Sequence, residues 1–307
     1  MHLITTILIF VLSFFVSVSI VNAQDLGKSI EARSQQMAKA IADEDTKGLL
    51  KLFEDDAALL PEYHVTLYGS QHIKNYYRQF FEHAETLEYS KTPFEIESIN
   101  KGYYIELGTF EHRYITASKN TFEYKGKYTT YWQVAKKGPT AIAHIWGSSS
   151  YFDAGMVDFI SINVTPRQTM EPQTEWEKAL EEHQAYAYNA VFAGDAEAQL
   201  ITYHEDVVYM TYYDPPFIGK KQVAAYFRSH YNPESPMDSL QTRIVKVIDM
   251  GGHALRFGEY YVAWTWEEKP YDIKGKGLTL LKKIDNGSIQ IYRQMINHSM
   301  PAALKEF

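Results

Sequence analysis

The chain has 307 residues, of which 45% are hydrophobic, 15% aromatic and 22% charged, and none is a cysteine. This composition excludes a disordered chain, a collagen-like repeat, a disulfide scaffold and any site built on a thiol. The net charge of −8 repels phosphate backbones and anionic lipid surfaces, so we expect no nucleic-acid partner. The apolar content suffices for one large core or two ordinary ones.

The first 23 residues are typical of a signal peptide. Residues 7–21 are apolar apart from serines, and the small Ala23 favours cleavage before Gln24. A helix needs about 20 residues to span a bilayer, so a cleaved signal fits better than the alternative, an uncleaved anchor. We therefore expect a secreted or periplasmic protein with no membrane association after cleavage.

Two series of predicted elements follow. The first contains an amphipathic helix over 29–42, a short helix capped by Asp45, a strand over 57–61, a glycine turn at Gly69, a third helix, and strands near 94–116, 122–136 and 140–152. The second contains a helix over 176–193, a short helix capped by Asp195, a strand over 207–211, a turn at Gly219, a third helix, and strands near 242–267, 274–284 and 288–299. The order of elements is the same in both series.

The two series are copies of one domain. Thirty-four residues from Asp45 align without a gap with those from Asp195, 150 residues later, and seven pairs are identical. We predict domains over 24–153 and 175–307, joined by a linker over 154–174 in which 157–164 can add one strand.

The pattern D-x-x-x-L-x-x-x-[FY]-x-x-D, the glycine before the third helix and the closing residues 143–148 resemble the SnoaL-like and ketosteroid-isomerase-like superfamily, which includes nuclear transport factor two. The resemblance implies an α+β fold: two cone-shaped nuclear-transport-factor-two-like domains in tandem, each with three helices packed in a curved, mainly antiparallel sheet. Because many functions share this fold, it does not identify a reaction.

Ketosteroid isomerases use a carboxylate base, a tyrosine and a protonated aspartate. The resemblance places these roles, in the two copies, at Pro61 and Thr211, at Met37 and Ala187, and at Thr130 and Thr279. None of these residues can perform its role, which argues against that isomerisation. Neighbouring side chains that can substitute are Glu62, Asp214, Tyr186 and Tyr188.

The first cone is predicted to hold an aromatic site. Alternation along its closing strand groups Ile142, His144, Trp146 and Ser148 on the inward face. His144 is a candidate acid or base, with Glu106 or Glu62 as its partner. The alternative is that His144 is a half-buried structural residue. Further candidate ligand contacts are Tyr63, Tyr104 and Tyr128.

The second cone is predicted to differ in charge. The same alternation groups Ile291, Arg293, Met295 and Asn297 inward, and Arg256 is expected to join them. Two guanidinium groups suit a carboxylate or another anion. The alternative is that these arginines pair with Glu259 or Asp272.

Aromatic residues also crowd the strand over 258–266, where side chains of both parities are large and apolar. A sheet exposed to water on one face alternates apolar with polar residues. We therefore expect the copies to pack sheet to sheet as a pseudo-twofold pair within one chain, in preference to forming an exposed aromatic platform.

We expect an exported small-molecule-binding protein that holds a hydrophobic or carboxylate-bearing ligand in a cone pocket. The alternatives are an isomerase, lyase or cyclase that uses His144 with Glu106, and a structural pseudo-dimer with one non-functional copy. No cofactor is expected. No metal is expected either, because the histidines form no H-E-x-x-H or comparable motif.

Overall fold

The computed structural model describes residues 26–100, 102–136, 138–231 and 236–299. The predicted signal peptide lies outside these residues. Within the described ranges, no helix combines the length and apolar character that a membrane span requires.

The first copy contains three helices and six strands. They are α1 (26–42), α2 (Thr46–Leu50), β1 (Phe53–Leu60), β2 (Leu67–Tyr68), α3 (Ser70–His83), β3 (Ala84–Asn100), β4 (Tyr103–Thr116), β5 (Thr121–Ala135) and β6 (Gly138–Ser148). A short 3₁₀ turn over Ala154–Met156 follows.

The second copy repeats this order. It contains α4 (Glu175–Phe192), α5 (Ala196–Ile201), β7 (Tyr203–Met210), β8 (Phe217–Ile218), α6 (Lys220–His230), β9 (Met237–Asp249), β10 (His253–Trp266), β11 (Lys269–Lys283) and β12 (Ile289–Ser299).

The two sheets have the same topology. Their strand orders are β2-β1-β6-β5-β4-β3 and β8-β7-β12-β11-β10-β9. Only the β1–β6 and β7–β12 pairs are parallel, so each sheet is mainly antiparallel. The predicted fold class, two tandem α+β domains with three helices each, is confirmed. The closing strands number four per copy and not three, because the stretches near 94–116 and 242–267 each span a tight hairpin.

Local sequence signals explain the helix starts. The carboxylate of Asp45 accepts from the Gly48 N–H, and that of Asp195 accepts from the Ala198 N–H, so both predicted caps are confirmed. Gly69 precedes α3 with a φ of 86°, a backbone conformation that favours glycine.

The predicted linker begins as part of the first domain. Val157 and Ile160 are buried in the core of the first copy. Ser161 and Gln79 of α3 exchange two hydrogen bonds of 2.8 and 2.9 Å between side chain and backbone. No strand forms over 157–164. The linker therefore covers the open end of the first cone.

Both closing strands contain a β-bulge at the same position. The register between β5 and β6 skips Ile142, and that between β11 and β12 skips Tyr292, 150 residues later. A bulge inserts one extra residue, so the alternation of side chains between the two faces shifts by one. The counterpart of His144 is therefore Gln294 and not Arg293.

The predicted inward set of the second copy is wrong for three residues. Arg293, Met295 and Asn297 lie on the opposite face, against the first copy. In the first copy, Ile142 also packs between the copies and not in the cone. The one-residue slip in the repeat applies to β11 but not to β12, where the offset returns to 150.

The two sheets share one apolar core. It contains residues of both copies, among them Leu60, Ile105, Ile145, Met210, Leu255, Phe257 and Met295. The sheets therefore pack through the faces that lie away from their helices.

Hydrogen bonds across this contact are reciprocal. The Tyr63 N–H donates to the His298 carbonyl at 2.8 Å, and the Tyr213 N–H donates to the Ser148 carbonyl at 3.1 Å. Each member of the second bond is the repeat equivalent of a member of the first. The hydroxyls of Tyr63 and Tyr213 also bond to each other. Such contacts are those of an isologous interface with a local twofold axis.

Candidate functional site

A cavity lies inside the first cone, between α3, the inward face of the sheet and the linker. About 40 Å³ is open to the centre of a water-sized sphere, whereas one water needs roughly 10–15 Å³ of such space. The cavity therefore holds a few waters or a molecule of about one ring. Its lining consists of Ile41, Glu62, Tyr76, Tyr77, Phe80, Phe81, Tyr89, Phe110, His112, Tyr124, His144, Trp146 and Val157.

Aromatic rings form most of this lining and contact one another. Trp146 lies 5.8 Å from Tyr76 and 5.3 Å from His144, measured between ring centroids. His112 lies 5.2 Å from Phe80 in the same way. Rings packed edge to face and at tilted angles suit another aromatic molecule placed among them.

Glu62 is the only acidic side chain in the lining and is 2% exposed. Its Oε2 accepts from the Tyr124 hydroxyl at 2.6 Å and from the Ser148 N–H at 2.7 Å. Its Oε1 is buried and has no hydrogen-bond partner among the described residues. Burial raises the pKa of the Glu62 carboxyl, while the two hydrogen bonds and the charges of Lys127 and Lys276 lower it.

Glu106 is also fully buried, but its oxygens are occupied. Oε1 accepts from the hydroxyls of Ser34 and Tyr128, both at 2.5 Å, and Oε2 accepts from the Trp132 indole N–H at 2.8 Å. The Lys91 ammonium lies 3.4 Å from Oε1. Burial lowers the pKa of Lys91, and the nearby Glu106 carboxylate opposes that shift. This buried ion pair is fully hydrogen-bonded and offers no oxygen to a ligand.

His144 lines the cavity but does not bond to Glu106. Its Nδ1 lies 2.8 Å from the Thr130 hydroxyl, and Thr130 stands between His144 and Glu106 in the sheet register. Burial, aided by the charge of Lys91, holds the pKa of His144 well below its usual range. The imidazole is therefore neutral at neutral pH.

The other sequence candidates divide between three places. Trp146 lines the cavity, whereas Tyr104 and Tyr128 are buried in the core of the first copy. Tyr63 lies at the contact between the copies, where it bonds to Tyr213. Met295 lies in the core shared by the two sheets.

The two arginines that were expected to converge are separated. Arg293 pairs with Glu95 at 2.7 Å and with Glu97 at 3.2 Å, both on β3 of the first copy. Arg256 stays inside the second cone, on the face that carries Thr279. Glu259, the alternative partner, is held by Arg243 instead.

The sequence analysis missed two buried lysines near Glu62. Lys127 donates to the Ser148 carbonyl, and Lys276 donates to the His298 carbonyl at 3.0 Å. Burial lowers the pKa of Lys127 to about 8 and that of Lys276 to about 7. A signal was present, because both lysines follow a glycine at equivalent positions in the repeat.

Metal ligation finds no support in the part of the chain that the structure describes. No group of three or more histidine, aspartate or glutamate side chains is placed to hold an ion there.

No family model matches the chain, and no curated protein matches it. Solved structures do. A ketosteroid isomerase-like protein from Erwinia carotovora atroseptica is 22% identical, with 41% of this chain and 97% of that chain covered and a TM-score of 0.37. An NTF2-like protein from Cytophaga hutchinsonii is 11% identical, with 41% and 99% covered and a TM-score of 0.35. These are similarities of fold, and each spans about two fifths of this chain.

Proposed function

We propose that this is an exported small-molecule-binding protein whose first cone holds a one-ring aromatic molecule carrying a hydroxyl or amine. One observation carries the proposal: Glu62 Oε1 is buried in an aromatic cavity without a partner. Export rests on the sequence of residues 1–23 alone.

The free oxygen defines the polar group of the ligand. A buried carboxylate oxygen without a hydrogen bond is costly, because it has lost its water and gained nothing in exchange. A ligand O–H or N–H removes that cost by donating to Oε1. The ring of the ligand then contacts Trp146, Tyr76 and His144, which stand on the same lining.

The size of the cavity limits the ligand. About 40 Å³ of space for water-sized centres fits a benzene-sized ring better than a fused ring system, since benzene enters engineered cavities of about 150 Å³ total volume. We therefore expect single-ring compounds to bind and steroid-sized compounds to be excluded.

Binding fits the residues better than catalysis by His144 and Glu106. The oxygens of Glu106 are held by three donors and by Lys91, so Glu106 is not available to orient His144 or to take its proton. A second candidate function uses Glu62 instead, as a general base whose raised pKa brings it towards the working range. That function requires turnover, which ligand binding alone does not support.

The test exploits the geometry around Glu62. In Glu62→Gln the side-chain oxygen stays with the Tyr124 and Ser148 donors, and the amide N–H group takes the place of Oε1. The unchanged protein is expected to bind aniline, a donor, at least tenfold more tightly than benzonitrile, an acceptor of similar size. The variant is expected to reverse this order, as measured by calorimetric titration.

The matched control is Glu85→Gln, which changes an exposed glutamate. It should retain the preference for aniline. The same order of affinity in Glu62→Gln as in the unchanged protein would contradict the role of Oε1. Absence of binding by either compound would contradict the aromatic cavity as a ligand site.

A further inference from the structure

The second cone contains a buried guanidinium that lacks a counter-charge among the described residues. Arg256 on β10 is 5% exposed, and its Nη1 has no hydrogen-bond partner there. Its neighbours across the strands are Val247 and Thr279, which are uncharged. Burial lowers the pKa of Arg256 only to about 10, so the group remains charged at neutral pH.

The equivalent position in the first copy shows what is missing. Glu106 lies 150 residues before Arg256 and is equally buried, but Lys91 and three hydrogen-bond donors surround it. The first cone therefore neutralises its charge internally. An unpaired charge in such a place is strongly destabilising, and an anion from outside the chain removes that cost.

Further unpartnered donors belong to the same cone. Helix α4 carries His183 and Trp176, and the ring nitrogens of both are buried without hydrogen-bond partners among the described residues. Burial and the nearby charge of Arg256 lower the pKa of His183 to about 4. His183 is therefore neutral at neutral pH and has one N–H to donate. Trp176 has only a donor to offer.

We propose that the second cone binds a small monocarboxylate, with Arg256 as its counter-charge and with His183 and Trp176 as neutral donors. One buried positive charge balances one negative charge. A phosphate dianion would leave a second negative charge buried and unpaired, which is unfavourable. The site is separate from the aromatic cavity of the first cone.

The experiment uses the full mature chain and two probes of different size, acetate and benzoate. At least one is expected to bind and to raise the melting temperature, whereas its neutral amide, acetamide or benzamide, and inorganic phosphate should bind at least tenfold more weakly. Arg256→Met should lose the carboxylate affinity by at least tenfold. Arg228→Gln, which removes an exposed arginine of the same copy, should keep it.

Thermal stability without added anion keeps the test decisive if Arg256→Met binds nothing. For an unpaired arginine, methionine leaves the melting temperature of the anion-free protein unchanged or raises it. A large drop, or equal binding of carboxylate and amide, would overturn the proposal and indicate an internal partner. Glu234→Gln, which alters an acidic residue close in sequence to β9, should leave carboxylate binding intact. Glu62→Gln should also leave it intact, which separates this site from the first cone.

Discussion

Equivalent residues of the two copies differ most where the cones are polar. Glu106 corresponds to Arg256, and Glu62 corresponds to Tyr212. Apolar positions change little, as Leu59 and Tyr209 or Ile73 and Val223 show. A hydrophobic exchange of similar volume retains the core, whereas a change of charge alters what the cone can bind. The copies have therefore kept one fold and acquired different interiors.

The Glu106 and Lys91 pair gives a prediction at the residue scale. Glu106→Gln leaves the buried ammonium of Lys91 without its counter-charge, and breaking a buried pair in this way costs about 3–5 kcal/mol. We expect the free energy of unfolding to fall by that amount in urea titrations. Glu88→Gln is the control, because its pair with Arg113 is exposed and such pairs are worth about 0–1 kcal/mol. Equal effects of the two substitutions would contradict the internal neutralisation of Glu106.

At the scale of elements, the bulges determine which side chains enter the cones. Each bulge lies between a residue that faces the cone and one that faces the other copy. The sequence predicted the closing strands and their alternation, but it carries no clear mark of the extra residue. Without the bulge, Arg293 would point into the second cone. With the bulge, it pairs with Glu95 between the copies.

Close strand packing at Gly126 gives a prediction at the same scale. A Cβ at Gly126 would lie 2.6 Å from a ring carbon of Phe110 and would also collide with the Gly147 carbonyl oxygen. We expect Gly126→Ala to lower the free energy of unfolding by about 1–3 kcal/mol, the usual cost of overpacking. Gly252→Ala is the control, since no atom lies within 4 Å of its Cβ. Denaturant titration of both variants tests this, and a neutral Gly126→Ala would show that the strands can separate at little cost.

At the scale of the whole molecule, the contact between the sheets replaces solvent on both of their outer faces. The shared apolar core, the reciprocal backbone hydrogen bonds and the Arg293 ion pairs all cross it. Asn297 of β12 adds two more bonds, from its side-chain amide to the carbonyls of Leu60 at 2.9 Å and Trp146 at 2.7 Å. We therefore expect the copies to unfold together.

Asn297→Ala tests this coupling. It leaves two buried carbonyls of the other copy without donors, at a cost of about 1–3 kcal/mol for each group that stays unsatisfied. In scanning calorimetry the unchanged protein should show one transition with equal calorimetric and van't Hoff enthalpies. The variant should melt at a lower temperature, unlike the control Asn189→Ala on the exposed side of α4. Two well-separated transitions in the unchanged protein would show that the sheets do not stabilise each other.

The sequence by itself determined the duplication, the order of the elements, the helix caps and the vacant isomerase positions, because these depend on local residue patterns and on the 150-residue offset. It also named His144, Trp146 and Glu62, which line the cavity. The tertiary structure decided that Glu106 is neutralised by Lys91, that Arg293 belongs to the contact between the copies, and that Glu62 Oε1 and Arg256 lack partners among the described residues. The physical reason is that one bulged residue reverses the faces of a strand, and that the partners of a buried charge come from residues distant in sequence.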